Sequence, residues 1–165
     1  MSYELKPVKT PEEIKALADM ANQIWHEFFP GIISKEQIDY MVDKFQSVHA
    51  MTDQLENHGY HYNVLEVDGE PMGYTGWNVE NGKLFLSKVY LKKEARGKGY
   101  SSIFFRFLEE QAKANGAHAI WLTVNKYNQH SIAVYEHKGF RTVRTQEADI
   151  GNGFIMDDYI MEKEI

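Results

Sequence analysis

Apolar positions recur at helical spacing early in the chain. Ile14, Leu17, Ala18, Ala21, Ile24, Trp25 and Phe28 fall three and four residues apart, so one stripe of a helix turns inward. Thr10-Pro11-Glu12-Glu13 opens that helix as a capping box. Thr10 is the N-cap, Pro11 takes the first helical position and Glu13 reaches back. Pro30-Gly31 ends it. Ser34-Lys35-Glu36-Gln37 opens a second helix with Ile38, Met41, Val42 and Phe45 on one face. A short third helical segment runs from Ser47 to Asn57, and Tyr3 to Val8 reads as a strand ahead of them all.

From Tyr60 the pattern switches to strands. Tyr60 to Val67 and Pro71 to Trp77 flank Asp68-Gly69, a hairpin signal. Glu80-Asn81-Gly82 turns again into Leu84 to Leu91. A helical run follows from Ser102 to Asn115 with Phe104, Leu108 and Ala112 on one face, then a strand from Ala119 to Asn125. Asn128 stands where it would cap a further helix. Phe140 to Ala148 and Phe154 to Met161 read as a closing pair of strands around Gly151-Asn152-Gly153. The pattern predicts one α+β domain over residues 1–165, with a mixed, mostly antiparallel sheet flanked by helices.

Between the strand ending at Leu91 and the helix beginning near Ser102 lies Arg96-Gly97-Lys98-Gly99-Tyr100-Ser101. A strand, a glycine turn and a helix N-terminus in that order suit an anion. The first helical turn has N–H groups with no intrahelical partner, and the helix dipole adds positive potential there. Glycines let the backbone approach a phosphate closely. The G-x-x-x-x-G-K spacing of a P-loop and the G-x-G-x-x-G dinucleotide fingerprint are both absent.

Together with the later run Asn128-Gln129-His130-Ser131-Ile132-Ala133-Val134-Tyr135 and Gly139-Phe140, this turn resembles the GNAT family, the GCN5-related N-acetyltransferases. Their phosphate loop has Gln or Arg, then Gly three positions on, then Gly or Ala two further. Arg96 and Gly99 match, and Ser101 is a small departure at the last position. The resemblance reaches from about Tyr60 to the C-terminus. It implies a splayed parallel pair of strands at the coenzyme site and acetyl-coenzyme A as cosubstrate. The backbone of Gly97 to Ser101, including Tyr100, would hold the pyrophosphate, with the charges of Arg96 and Lys98 nearby. Main-chain groups of Val89 and Leu91 would pair with the pantetheine arm. Tyr135 falls where the family often places its general acid, and Asn128 where it often has a coenzyme contact; Asn125 is a weaker candidate contact.

Direct transfer needs an amine that has lost a proton, a donor for the oxyanion and a proton for the leaving thiolate. Many family members carry a Glu on the strand before the loop, and Ser87 stands there instead. It could hold a water that relays the proton. Asp157, Asp158 and His26 are the other candidates for the base, each with a surface role as the alternative. Trp25, Phe28, Phe29 and Tyr40 lie in helices that wall the acceptor site in this family, although core packing explains Trp25 and Phe28 equally well.

Composition narrows the picture further. With 165 residues and 43% hydrophobic content, the chain suits one core. There is no cysteine, so disulfides, thiolate metal sites and acyl-cysteine intermediates are excluded. The seven histidines show no metal-ligand spacing, so no catalytic metal is expected. The N-terminus lacks a signal pattern and apolar runs are short, which makes a cytoplasmic location, away from membranes, the default. A net charge of −6 without a basic face argues against nucleic acid; it would suit a cationic acceptor such as a polyamine, with ordinary solubility as the alternative that explains it more simply. The apolar closing strands leave a sheet edge through which a homodimer could pair; a charged edge on a monomer is the alternative. The function expected is thus acetyl transfer to a small primary amine. An idle acyl-coenzyme A sensor and a protein or peptide acetyltransferase are the competing expectations.

Overall fold

The computed structural model describes residues 2–165. In chain order the elements are β1 (Tyr3–Pro7), α1 (Pro11–Phe28), α2 (Lys35–Phe45), α3 (Val48–Asn57), β2 (His61–Val67), β3 (Glu70–Glu80) and β4 (Lys83–Leu91). A short 3-10 turn, Lys93–Ala95, leads to α4 (Tyr100–Ala114), β5 (Ala119–Asn125), α5 (Gln129–His137), β6 (Arg141–Gly151) and β7 (Phe154–Glu164). The strands follow the order β1-β2-β3-β4-β5-β7-β6. Pairing is antiparallel except between β4 and β5. The fold is therefore the expected mixed, mostly antiparallel α+β sheet.

Two compact units divide the chain: Met1–Asn78 with Lys88–Leu108, and Val79–Ser87 with Glu109–Ile165. The first holds the three N-terminal helices. Thr10 accepts from the Glu13 N–H at 3.2 Å while the Glu13 carboxylate accepts from the Thr10 N–H at 2.9 Å, so the predicted capping box forms. Ser34 and Ser47 cap α2 and α3 by the same chemistry, each at 3.1 Å. The stripe of α1 packs with Val8, Met51, Tyr62 and Tyr74. A second cluster joins Leu65, Val67, Ala95, Tyr100 and Phe104, with Val89 and Leu91 against it. Successive strand residues point to opposite faces. Val89 and Leu91 thus face the α4 side, while Tyr90 meets the rings of Trp25 and Phe28 at 5.5 and 6.1 Å. α1 ends at Phe28, just short of the predicted Pro30-Gly31 stop.

In the second unit β5 is the central strand. It pairs with β7 along its whole length, from Ala119↔Glu164 to Asn125↔Asp158. β6 closes the outer edge against β7. Most of β6 is exposed, and Arg141, Arg144, Glu147 and Asp149 charge it. The expected homodimer would have to pair through this edge, where charged side chains work against strand addition. Both closing strands run about three residues further than predicted, to Gly151 and Glu164.

Candidate active site

In the first unit, the Arg96–Ser101 turn delivers the chain into α4. Gly97 and Gly99 have φ of +77° and +81°, a region that side-chain-bearing residues rarely adopt. A Cβ built on either glycine meets nothing within 4 Å. Neither glycine is needed to relieve a clash within the protein; both leave the backbone open to an outside group. The helix begins at Tyr100, two residues earlier than predicted, because the Tyr100 ring is buried with Leu65, Val67 and Phe104. The first-turn amides therefore belong to a helix anchored in the core.

Arg96 departs from expectation. Its Nε donates to the Leu91 carbonyl at 3.3 Å, and its guanidinium lies over the Phe28 ring at 4.9 Å from the centroid. The side chain is folded inward, bolting the loop to β4 and α1 rather than pointing its charge outward. Lys98 is exposed.

Lys88 is the residue that sequence reasoning missed. It is 6% exposed, and its ammonium donates to the Phe45 carbonyl at 2.9 Å, to Gln54 Oε1 at 3.1 Å and to the Tyr62 hydroxyl. The Tyr62 hydroxyl in turn donates to Gln54 Oε1 at 2.5 Å. Phe45 closes α2, so the cation sits at the negative end of that helix. The alternation Leu84, Leu86, Lys88 was the available signal, since it puts Lys88 at a buried position of the strand. Burial pushes Lys88 down to about 7. The folded chain then binds fewer protons than the unfolded chain between about pH 7 and 10.5, and stability rises with pH across that window. Lys88→Met keeps the stem and removes the titration. Urea midpoints at pH 7 and pH 9 should show the parent gaining about 1–2 kcal/mol more than the variant. Equal gains in both proteins would assign the titration elsewhere.

His26, a candidate base, already has a neighbour at each ring nitrogen. Its Nδ1 faces the Asn22 carbonyl at 2.8 Å and its Nε2 faces Asp39 Oδ1 at 2.5 Å. Both nitrogens face oxygen atoms, which favours the protonated ring. The Asp39 bond, followed by the Asn22 bond, raises its pKa accordingly.

In the second unit, the parallel ladder between β4 and β5 is brief. Among the described residues it comprises Lys83↔Ala119, Leu84↔Ile120 and Phe85↔Trp121, although β5 runs on to Asn125. The Phe85 and Trp121 rings stack at 4.2 Å where the ladder stops. Past that point Leu122 to Asn125 are bonded on the β7 side. Ser87 follows on β4, half-buried.

The turn after β5 is built by its asparagines. Asn125 Oδ1 accepts from the Tyr127 N–H at 2.9 Å, and Asn128 Oδ1 accepts from the Ser131 N–H at 3.2 Å. Asn128 is thus the predicted N-cap, and Asn125 is a turn former. α5 carries Tyr135, whose ring lies 6.0 Å from that of Phe140. Burial pushes the phenol up to about 12, so it stays protonated at neutral pH. Asp157 is ion-paired with Lys126 at 2.7 Å. Asp158 is 8% exposed, and its Oδ1 is buried with no hydrogen-bond partner.

Comparison with known proteins agrees with this geometry. Residues 18–140 match the model of the acetyltransferase (GNAT) family. The spermidine N(1)-acetyltransferase of Thermoplasma acidophilum is 23% identical over 161 residues, covering 95% of this chain and 97% of that protein. An uncharacterized N-acetyltransferase of Lactobacillus delbrueckii is 24% identical over 114 residues, covering 64% of this chain and 66% of that one. Among solved structures, the PaiA N-acetyltransferase of Thermoplasma acidophilum in complex with coenzyme A superposes with a TM-score of 0.81 at 22% identity, over 100% of both chains. A GCN5-related N-acetyltransferase of Rhodopseudomonas palustris gives 0.82 at 16% identity, over 100% of this chain and 97% of that one.

Proposed function

Since the chain belongs to the acetyltransferase (GNAT) family, we propose that it moves the acetyl group of acetyl-coenzyme A to a small primary amine of the polyamine class. The observation that carries the coenzyme is the Gly97–Gly99 turn. Two left-handed glycines with open space at their Cβ positions precede the first amides of α4. Those amides, from Gly97 through Tyr100 to Ser101, would receive the pyrophosphate, with Lys98 beside them. Val89 and Leu91 would offer their main-chain groups to the pantetheine arm as an added strand does. Asn128 holds the start of α5 through its cap, and Tyr135 donates the proton that the departing thiolate needs.

The polyamine rests on two supports. One is the likeness to a spermidine acetyltransferase along 97% of that enzyme's length. The other is the net charge of −6, which favours a polycation over an anionic acceptor. Among the described residues no helix is long and apolar enough to cross a membrane.

Thiol release from acetyl-coenzyme A decides the matter, measured with spermidine, free amino acids and short peptides as acceptors. Spermidine is expected to give the highest kcat/KM. A preference for peptides would move the chain to protein acetylation. Tight coenzyme binding with no turnover on any amine would make it an acyl-coenzyme A sensor.

A further inference from the structure

We infer that Asp158 is the group that takes the proton from the acceptor's ammonium, a role resting on the acetyl-transfer function above. Asp158 lies on β7 directly opposite Asn125, the last residue of β5. Lys163, five residues along β7, reaches Glu109 on α4 at 2.6 Å. An odd separation on a strand means opposite faces, so Asp158 faces away from α4. Glu162 and Ile160 share the Asp158 face by the same count, opposite Trp121 and Thr123.

The charges around Asp158 leave its Oδ1 without a hydrogen-bond partner. Glu162 on the same face is matched by Lys83 at 2.7 Å. Lys126 is taken by Asp157 at 2.7 Å and lies over the Tyr159 ring at 5.7 Å, both on the opposite face of β7. From β5 the facing residue is Asn125, and from β6 it is Gln146. Neither carries charge. Arg144 on β6, opposite Ile160, is exposed. A carboxylate buried without a cation or donor on Oδ1 is costly, and a fold keeps such a group where a ligand completes it. The ligand that fits is a cation able to donate an N–H, which is what a protonated amine brings.

Burial first, then the charge of Asp157, pushes Asp158 up to about 6, against a smaller opposing effect of Lys126. It is thus ionised at neutral pH, yet a far better base than an exposed carboxylate. The proton balance closes with the groups in this unit. One ammonium proton passes to Asp158 Oδ1, which frees the nitrogen lone pair. The nitrogen attacks the thioester carbon, and the carbon–sulfur bond breaks as Tyr135 gives its proton to the thiolate. The second proton leaving the nitrogen restores Tyr135, and Asp158 returns its own to water. His26 and Asp157 already face Asp39 and Lys126 respectively.

Asp158→Asn is the test, in the full chain with the best amine of the panel. The expected result is a fall in kcat/KM of about a hundredfold or more, with coenzyme affinity by calorimetry unchanged. The acidic limb of the parent's pH profile, with its midpoint near 6, should disappear. Asp158→Glu should recover part of the rate. A purely structural residue would lower Tm when replaced; here Tm at pH 8 should rise. The folded-state pKa is raised, so stability from this group is present below about pH 4 and lost as pH climbs through about 6. Should Asp158→Asn fail to fold, the parent's own profile decides: a flat kcat/KM between pH 5 and 8 overturns the role. Activity of Asp158→Asn within about threefold of the parent overturns it equally. A parent that acetylates no amine at all instead sinks the transfer function, and the role of Asp158 with it.

Discussion

Replacing Tyr135 with Phe should lower kcat about a hundred- to ten-thousand-fold while coenzyme affinity holds. The expectation comes from the way α5 is built. Asn128 caps the helix by accepting from the Ser131 N–H, and Tyr135 lies about two turns further on. Helical side chains lean toward the N-terminal end, the direction in which the start of α5 lies. Burial pushes the hydroxyl up to about 12, so essentially every molecule carries the proton at neutral pH. Phe keeps the ring and its contact with Phe140, and only the hydroxyl is lost. Packing should barely change, which separates chemistry from folding. Single-turnover and steady-state rates on the best amine measure the effect. A variant within about threefold of the parent would leave Tyr135 as a packing residue.

Much of this architecture was legible because the turns announce themselves. Asp68-Gly69, Asn81-Gly82 and Asn152-Gly153 each pair an Asx residue with glycine, and all six have positive φ. That is the conformation whose twist suits a two-residue hairpin, so three connections follow from dipeptides alone. The helix starts were equally readable from Thr10, Ser34 and Ser47. Strand ends were not. Glu162, Lys163 and Glu164 look like a polar tail, yet β7 continues through them because Lys83 and Glu109 supply partners. Such partners come from distant sequence, and no local pattern contains them.

Side-chain direction was the larger gap. The loop sequence places Arg96 beside an anion site, but Phe28 and the Leu91 carbonyl draw its guanidinium inward. Adjacent aspartates on a strand must face opposite ways, so Asp157 and Asp158 could not both be solvent-facing in the same sense. Which one is buried depends on the register against β5 and on Lys126, and only the fold supplies these. Lys88 shows the converse. Its buried parity was written in the strand, but a lysine there looks implausible until α2 and α3 provide the Phe45 carbonyl and Gln54.

Gly99→Val should weaken coenzyme binding about a hundredfold or more, equivalent to at least about 2.7 kcal/mol. At φ +81° a β-branched residue is strained, and the chain would relax toward a negative φ. That rotation swings the amides entering α4 away from the direction in which they converge. If the backbone instead held, the new methyl groups would fill the open space at the Gly99 Cβ position, where the pyrophosphate must approach. Both outcomes cost affinity. The control is Gly69→Val, at φ +83° with equally open surroundings in the β2–β3 hairpin. It carries the same backbone strain but lies in a turn with no helix N-terminus behind it. Thermal melts should show both variants losing stability, while calorimetry with coenzyme A should show only Gly99→Val losing affinity. Equal affinities in the parent and both variants would remove the Gly97–Gly99 turn from the coenzyme site.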